Sequence, residues 1–203
     1  AFAGLAVRQE IAERALPPVL YARVAGPDFD RLPPAVRAMH GVCGDSGAEG
    51  EGTVERGPGG LARLFGALMR MPPPGTWPLH VAFAERDGRE CWTRDFGGHV
   101  FASELSARGD RLVERFGPLR FVFDLPCDAR GLEMRLAGWS FWGLPLPRVL
   151  APRIFAREFE REGRFAFEVE VSLPWGGRIV RYAGTLEPVC DEPNEKGGPS
   201  PDR

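Results

Sequence analysis

The chain has 203 residues and a mass of 22.3 kDa, enough for one domain of ordinary size. Apolar residues make up 43% and charged residues 27%, which excludes wholesale disorder, and 26 basic against 28 acidic residues leave a net charge of -2 that selects no polyionic partner. No uncharged run reaches the ~20 residues that a spanning helix needs, Leu136 to Pro147 being about half of that, so no transmembrane span is expected.

Residues 1–18 read as an N-terminal helical extension. Leu5, Ile11 and Leu16 lie on a loose apolar stripe, and Pro17-Pro18 stops it. A second short helix is expected from Val19 to Val24, up to Gly26-Pro27. A third, of about two turns, follows Phe29, with Pro33-Pro34 at its start and Gly41 just past its end. Residues 42–50 read as a polar Gly-rich loop and Glu51–Arg56 as a strand. Pro58-Gly59 then opens a helix over 59–71, with Leu61, Leu64, Phe65 and Leu68 on one face, and a run of prolines ends it.

From Trp77 the apolar period changes to two. Leu79, Val81 and Phe83 alternate with smaller or polar residues, and Asp87-Gly88 is a hairpin turn signal. Similar alternation recurs in Cys91–Phe96, Val100–Ala107, Leu112–Phe116, Leu119–Leu125, Leu132–Leu136, Phe165–Leu173 and Ile179–Leu186. About eight strands with turns roughly every ten residues predict an antiparallel meander. The expected fold is therefore α+β: a curved sheet or up-and-down barrel, with N-terminal helices and the covering helix at 59–71. The single domain is placed at 19–187, and 188–203 reads as a disordered polar tail.

The segment from Trp139 to Pro152 breaks this pattern, being too rich in Pro for a central strand and too apolar for a solvated loop. Three readings are open: a loop plugging one end of the barrel, a lid or wall of an apolar ligand pocket, or a lipid-facing patch. Trp139, Phe141 and Trp142 must in any case pack or bind somewhere.

Chemical motifs are few. His40, His80 and His99 have no metal-ligand spacing, and neither a nucleophile elbow nor a dinucleotide-binding glycine fingerprint is present. No metal and no cofactor are expected. All but one of the basic residues are Arg, scattered among as many carboxylates, whereas a nucleic-acid binder gathers them into a patch, so no nucleic-acid partner is expected. Cys43, Cys91, Cys127 and Cys190 are too widely spaced for a zinc knuckle or a redox pair and read as free thiols. With no secretory pattern at the N-terminus, the expected location is cytoplasmic.

Arg94 shares a strand face with Trp92 and Phe96, and a guanidinium on an apolar face needs a carboxylate or a ligand anion. Glu114, Glu158 or Asp95 are candidate partners. Arg181, beside Tyr182, is a similar case. Glu158, Glu160, Glu168 and Glu170 are assigned to a solvated outer face among arginines, in preference to an acid/base pair.

Several motifs in order resemble one family: Arg31-Leu32-Pro33-Pro34-Ala35-Val36-Arg37 with His40-Gly41, Trp92-Thr93-Arg94-Asp95-Phe96-Gly97-Gly98, Glu114-Arg115-Phe116-Gly117-Pro118-Leu119-Arg120-Phe121, Gly143-Leu144-Pro145-Leu146-Pro147, and Gly163-Arg164-Phe165 with Phe167 and Val169. The sequence over roughly 19–187 resembles the bacterial domain-of-unknown-function family 4166. The resemblance implies one domain and supplies no reaction. It also implies a possible partner, an NAD(P)-binding dehydrogenase-like domain.

The first functional expectation is non-catalytic binding of an apolar, lipid-like small molecule in a barrel-like cavity. Arg94, His99, Phe121, Trp139, Phe141, Trp142 and Arg181 are its candidate residues. The alternatives are an enzyme or accessory domain of an NAD(P)-dependent oxidoreductase, with His40, His99 or Glu158 as acid/base, and an interaction module that docks through 139–152.

Overall fold

Glycine and proline cut the chain into short elements, and alternation within them sets which face turns inward. The computed structural model describes residues 19–41, 45–68, 70–175 and 177–189. The helix expected over 1–16 and the tail beyond 189 lie outside the described residues. Three helices are seen: α1 (Leu20–Ala25), α2 (Pro34–Met39) and α3 (Gly60–Leu68), with a 3-10 turn at Gly26–Arg31 between the first two. The strands are β1 (Asp45–Arg56), β2 (Gly75–Arg86), β3 (Arg89–Phe96), β4 (His99–Arg108), β5 (Arg111–Phe116), β6 (Leu119–Asp124), β7 (Cys127–Asp128), β8 (Gly131–Glu133), β9 (Arg135–Phe141), β10 (Leu144–Pro145), β11 (Arg153–Arg161), β12 (Arg164–Leu173) and β13 (Gly177–Val189).

All pairings are antiparallel, in one sheet of order β10-β9-β6-β5-β4-β3-β2-β1-β13-β12-β11-β8-β7. The architecture is the expected antiparallel α+β, with two corrections. Among the described residues there are thirteen strands rather than about eight: β7, β8 and β10 are only two or three residues long, too short for alternation to reveal, and β1 and β11 are not among the alternating runs. The ladder is also not closed into a barrel. Its two ends meet along one segment, since β8 pairs with β11 while β9, one residue further on, pairs with β6.

Two local meanders, β1 to β6 and β11 to β13, are joined by the long-range pair β1–β13. Of the Gly-rich stretch 42–50 expected to be a loop, residues 42–44 lie outside the described residues and 45–50 form the first half of β1. Ala48 and Val54 are buried on its inner face, and a methyl at Gly50, between them, would overlap the Thr185 carbonyl of β13. Glycine is there to let two strands approach, which a sequence reading mistakes for flexibility. The expected Asp87-Gly88 turn is present, with both residues at positive φ (52° and 73°) as a two-residue hairpin loop requires.

The core runs along the concave face of the sheet. Leu79, Val81, Phe83, Phe96, Leu105, Leu112, Phe121, Phe123, Phe165, Val180 and Leu186 are all buried. Helices α1 and α2 pack against β4 and β5 on one side and β11, β12 and β13 on the other, so they bridge the curved sheet and seal it. Residues 139–152 do not plug it: Phe141, Trp142, Leu144, Val149 and Leu150 are exposed. Cys91 and Cys127 are free thiols; Cys43 and Cys190 lie outside the described residues. Among the described residues no helix is long and apolar enough to cross a membrane.

Candidate functional site: charged groups inside an apolar cavity

Inside the curved sheet lies a cavity of about 120 Å³, walled by residues such as Leu79, Phe96, Phe101, Phe121, Phe167 and Val180. Five polar side chains interrupt this wall: Tyr21, Arg94, Glu114, Glu158 and Tyr182. Each is there because of strand parity or a helix end. On β3 the inward row is Glu90, Trp92, Arg94 and Phe96; on β5 it is Leu112, Glu114 and Phe116.

Arg94 is paired as the sequence allowed. Its Nη2 lies 3.6 Å from Glu114 Oε1 and its Nη1 donates to Ser103 Oγ at 3.0 Å, one strand away. The guanidinium also lies 5.3 Å from the Trp92 ring and 5.6 Å from that of Phe101, so its faces are in aromatic contact. Burial pushes the Glu114 carboxyl above the usual carboxylate range, with Arg94 and then Ser103 pulling it back.

A second pair is built from the helices. Pro33-Pro34 starts α2, and the Ala35 N–H in its first turn donates to Glu160 Oε2 of β11 at 2.9 Å. The helix ends at His40, which is fully buried. Its Nε2 donates to Glu158 Oε2, its ring stacks on Tyr21 with centroids 3.7 Å apart, and Trp92 lies beyond at 5.6 Å. His40 Nδ1 is buried without a partner.

The assignment of Glu158 to a solvated outer face is therefore corrected. On β11 the inward row is Ile154, Ala156 and Glu158, while Phe155 and Phe159 face outward. Arg157 covers both rings, at 5.7 and 4.8 Å. The interleaved arginines suggested a solvated face instead. Glu168 and Glu170 are outward as expected, paired with Arg157, Arg181 and Arg178.

The other sequence candidates are placed as follows. Phe121 lines the cavity. Arg181 is on the outer face, bridging Glu168 at 2.6 Å and Glu55 at 2.9 Å, while its neighbour Tyr182 turns inward, where burial pushes its hydroxyl up to about 12. His99 stands at the β3–β4 turn, edge-on to Trp77 at 5.3 Å and outside the cavity wall. Trp139 donates from Nε1 to the Pro147 carbonyl and lines a surface groove, whereas Phe141 and Trp142 are exposed at the β9–β10 hairpin. Arg94 and Phe121 are thus brought together at the cavity; Trp139 lies opposite Phe121 across the β6–β9 pair but lines the groove instead, and His99, Phe141, Trp142 and Arg181 stand apart.

Glu90 and Tyr21 were missed. Glu90 is buried, accepts from Trp92 Nε1 at 2.8 Å, and leaves Oε1 without a partner. Counting back in twos from Phe96 would have found it. Burial raises its carboxyl above the ordinary range despite the Trp92 N–H and the nearby His40. The folded chain then holds a proton that the unfolded chain has already released. Stability therefore falls as pH rises from the ordinary carboxylate range through the raised folded value. Glu90→Gln keeps an acceptor for Trp92 and should flatten that fall. Urea unfolding at pH 5 and pH 8 checks it, and an unchanged pH dependence would contradict the assignment.

The cavity lies within a stretch that a known family also covers. A family model described as "Domain of unknown function (DUF4166)" matches residues 32–186, from the approach to α2 to the end of the buried part of β13. The chain belongs to the DUF4166 family. No curated protein matches the sequence. Among solved structures, the DUF4166 chain is similar to Rv2717c from M. tuberculosis, with 16% identity, a TM-score of 0.45, and coverage of 76% of this chain and 97% of that one. It is also similar to a protein of unknown function from the DUF3598 family of Nostoc punctiforme, with 13% identity, a TM-score of 0.41 and coverage of 73% of this chain. The match spans about half (48%) of that protein's length.

Proposed function

We propose that this DUF4166 domain binds a small, mainly apolar molecule carrying a neutral hydrogen-bonding end. The observation that supports it is the internal cavity, apolar on most of its wall but holding Arg94, Glu114 and Glu158. Space of this volume is several times what one water needs, and apolar walls give water few partners. One guanidinium already engaged by Glu114, with a second carboxylate nearby, disfavours an acid. A hydroxyl suits the site better, donating to Glu158 or Glu114 and accepting from Arg94.

Of the residues expected from the sequence, this reading rests on Arg94 as polar anchor and Phe121 as wall. An enzyme is the second reading, favoured by the buried His40–Glu158 pair at the cavity wall, with Glu158 as acid/base and His40 as its positioning residue. Binding is placed first because it needs only the cavity and the anchor.

The test uses 1-naphthol, which combines an apolar ring with one hydroxyl. A ligand of this size in a matching site binds with a Kd on the order of 10 μM. Ala156 lines the cavity, so Ala156→Phe fills it and is expected to weaken uptake about tenfold or more. 1-Naphthoate should bind more weakly than 1-naphthol. Absence of saturable uptake by the wild type, or equal affinity in Ala156→Phe, would defeat the proposal.

A further inference from the structure

The sheet parts at one place. β9 follows β6, and the first half of β11 lies beside it, but among the described residues these two strands form no ladder; only the Met134 N–H reaches across, to the Ala156 carbonyl at 2.9 Å. A surface groove of about 820 Å³ lies over this seam. Met134, Ile154 and Ala156 line both the groove and the internal cavity, so a partition one side chain thick separates the two.

The rim of the groove is apolar and uncovered. Val149 is 67%, Phe155 48% and Trp175 73% exposed. They stand on separate projections: the 3-10 turn Arg148–Leu150, the start of β11 and the β12–β13 turn. The neighbouring β9–β10 hairpin carries Trp142 and Leu144 outward at its tip, with Trp142 at positive φ (46°).

The charges around the groove are net positive: three arginines against one glutamate. Arg135 is balanced by Glu133 at 2.8 Å. Arg148 donates to the Ala137 carbonyl at 2.6 Å, and among the described residues neither it nor Arg153 has a carboxylate partner. No other carboxylate lines the groove.

We infer that this seam docks on an anionic lipid bilayer and is the route by which the cavity's ligand arrives. The second clause rests on the binding reading proposed above; the first stands without it. Separate apolar side chains on loops suit insertion among lipid headgroups, where tryptophan rings concentrate, better than the flat packed patch that a protein partner needs. Arginines beside them pair with lipid phosphates while their stems stay in apolar contact. An apolar ligand partitions into the same bilayer, and the partition of Met134, Ile154 and Ala156 is all that separates it from the cavity.

The test is flotation of the full chain with vesicles of mixed phosphatidylcholine and phosphatidylglycerol, and with vesicles of phosphatidylcholine alone, at low salt. The chain should float with the mixed vesicles, with a blue shift of tryptophan emission, and be released by high salt. Arg153→Glu, and separately Trp175→Ser with Val149→Ser, alter only exposed side chains and should each weaken binding about tenfold while leaving the thermal melt unchanged. Failure to bind anionic vesicles, equal binding to both kinds, or variants that bind like the wild type would each overturn the inference. Uptake of 1-naphthol from buffer without vesicle binding would sink the docking surface and spare the cavity; vesicle binding without uptake would do the reverse.

Discussion

His40→Ala is expected to lower the stability of the folded chain by about 3–5 kcal/mol, the cost of stripping one partner from a buried ionic or hydrogen-bonded pair. The imidazole is fully buried, stacked on Tyr21, and donates to Glu158, whose side chain is only 12% exposed. Its removal leaves that carboxylate facing an apolar cavity and also opens a void beneath α2, and both effects act in the same direction. Glu158→Gln is the matched control. It retains a side chain that hydrogen-bonds to His40 without the charge, and should cost no more than about 1 kcal/mol. For a domain of this size the difference is roughly 10 °C in melting temperature. Thermal unfolding of the two variants beside the wild type settles the matter; a His40→Ala loss as small as that of Glu158→Gln would show that the pair contributes little.

The second large effect is expected at the junction of the two meanders. A methyl at Gly50 would overlap the Thr185 carbonyl and lie 3.1 Å from Leu186 Cα, both backbone atoms that no rotamer change can move. Gly50→Ala must therefore push β1 from β13, the one ladder that pairs the β1–β6 meander directly with β11–β13 among the described residues. Its cost should exceed about 3 kcal/mol, in the range reserved for backbone strain and overpacking. Gly138→Ala on β9 has nothing within 4 Å of the added methyl and should stay within about 0.5 kcal/mol of the wild type. Urea denaturation of both variants measures the contrast, and equal stabilities would mean that the junction is more pliant than its geometry implies.

Much of the architecture was legible in the sequence because alternation is a strong signal wherever one strand face is apolar. Leu79-Val81-Phe83, Phe121-Phe123 and Phe165-Phe167 each turned inward as their spacing dictated. The misreadings have local causes. Gly47 and Gly50 made the first half of β1 look like a loop, because a glycine needed for close strand approach, as Gly50 is, is also a residue that marks turns. β7, β8 and β10 are shorter than one period of the pattern they would have to display.

The site was legible in part. Arg94 could be placed on the inner face from Trp92 and Phe96, and Glu114 was among its candidate partners. Glu158 was misplaced because the arginines interleaved around it marked a solvated face, whereas the structure turns Glu158 inward and Phe155 and Phe159 outward beneath Arg157. The meeting of His40 and Glu158 joins residues 118 positions apart, and nothing in local pattern carries that information. Trp139, Phe141 and Trp142 drew notice through the apolar, Pro-rich segment that holds them, and His99 and Arg181 through polar groups near aromatics, and none of these signals fixes which side of a sheet, or which end, a side chain occupies.

Isothermal titration of the wild-type chain with 1-naphthol at several temperatures puts the ligand-holding interior to the most direct trial. A guest enclosed among Leu79, Phe96, Phe121 and Val180 predicts one molecule per chain and a negative heat-capacity change from the apolar surface it loses. Heats that never saturate, or several sites per chain with no heat-capacity change, would contradict it.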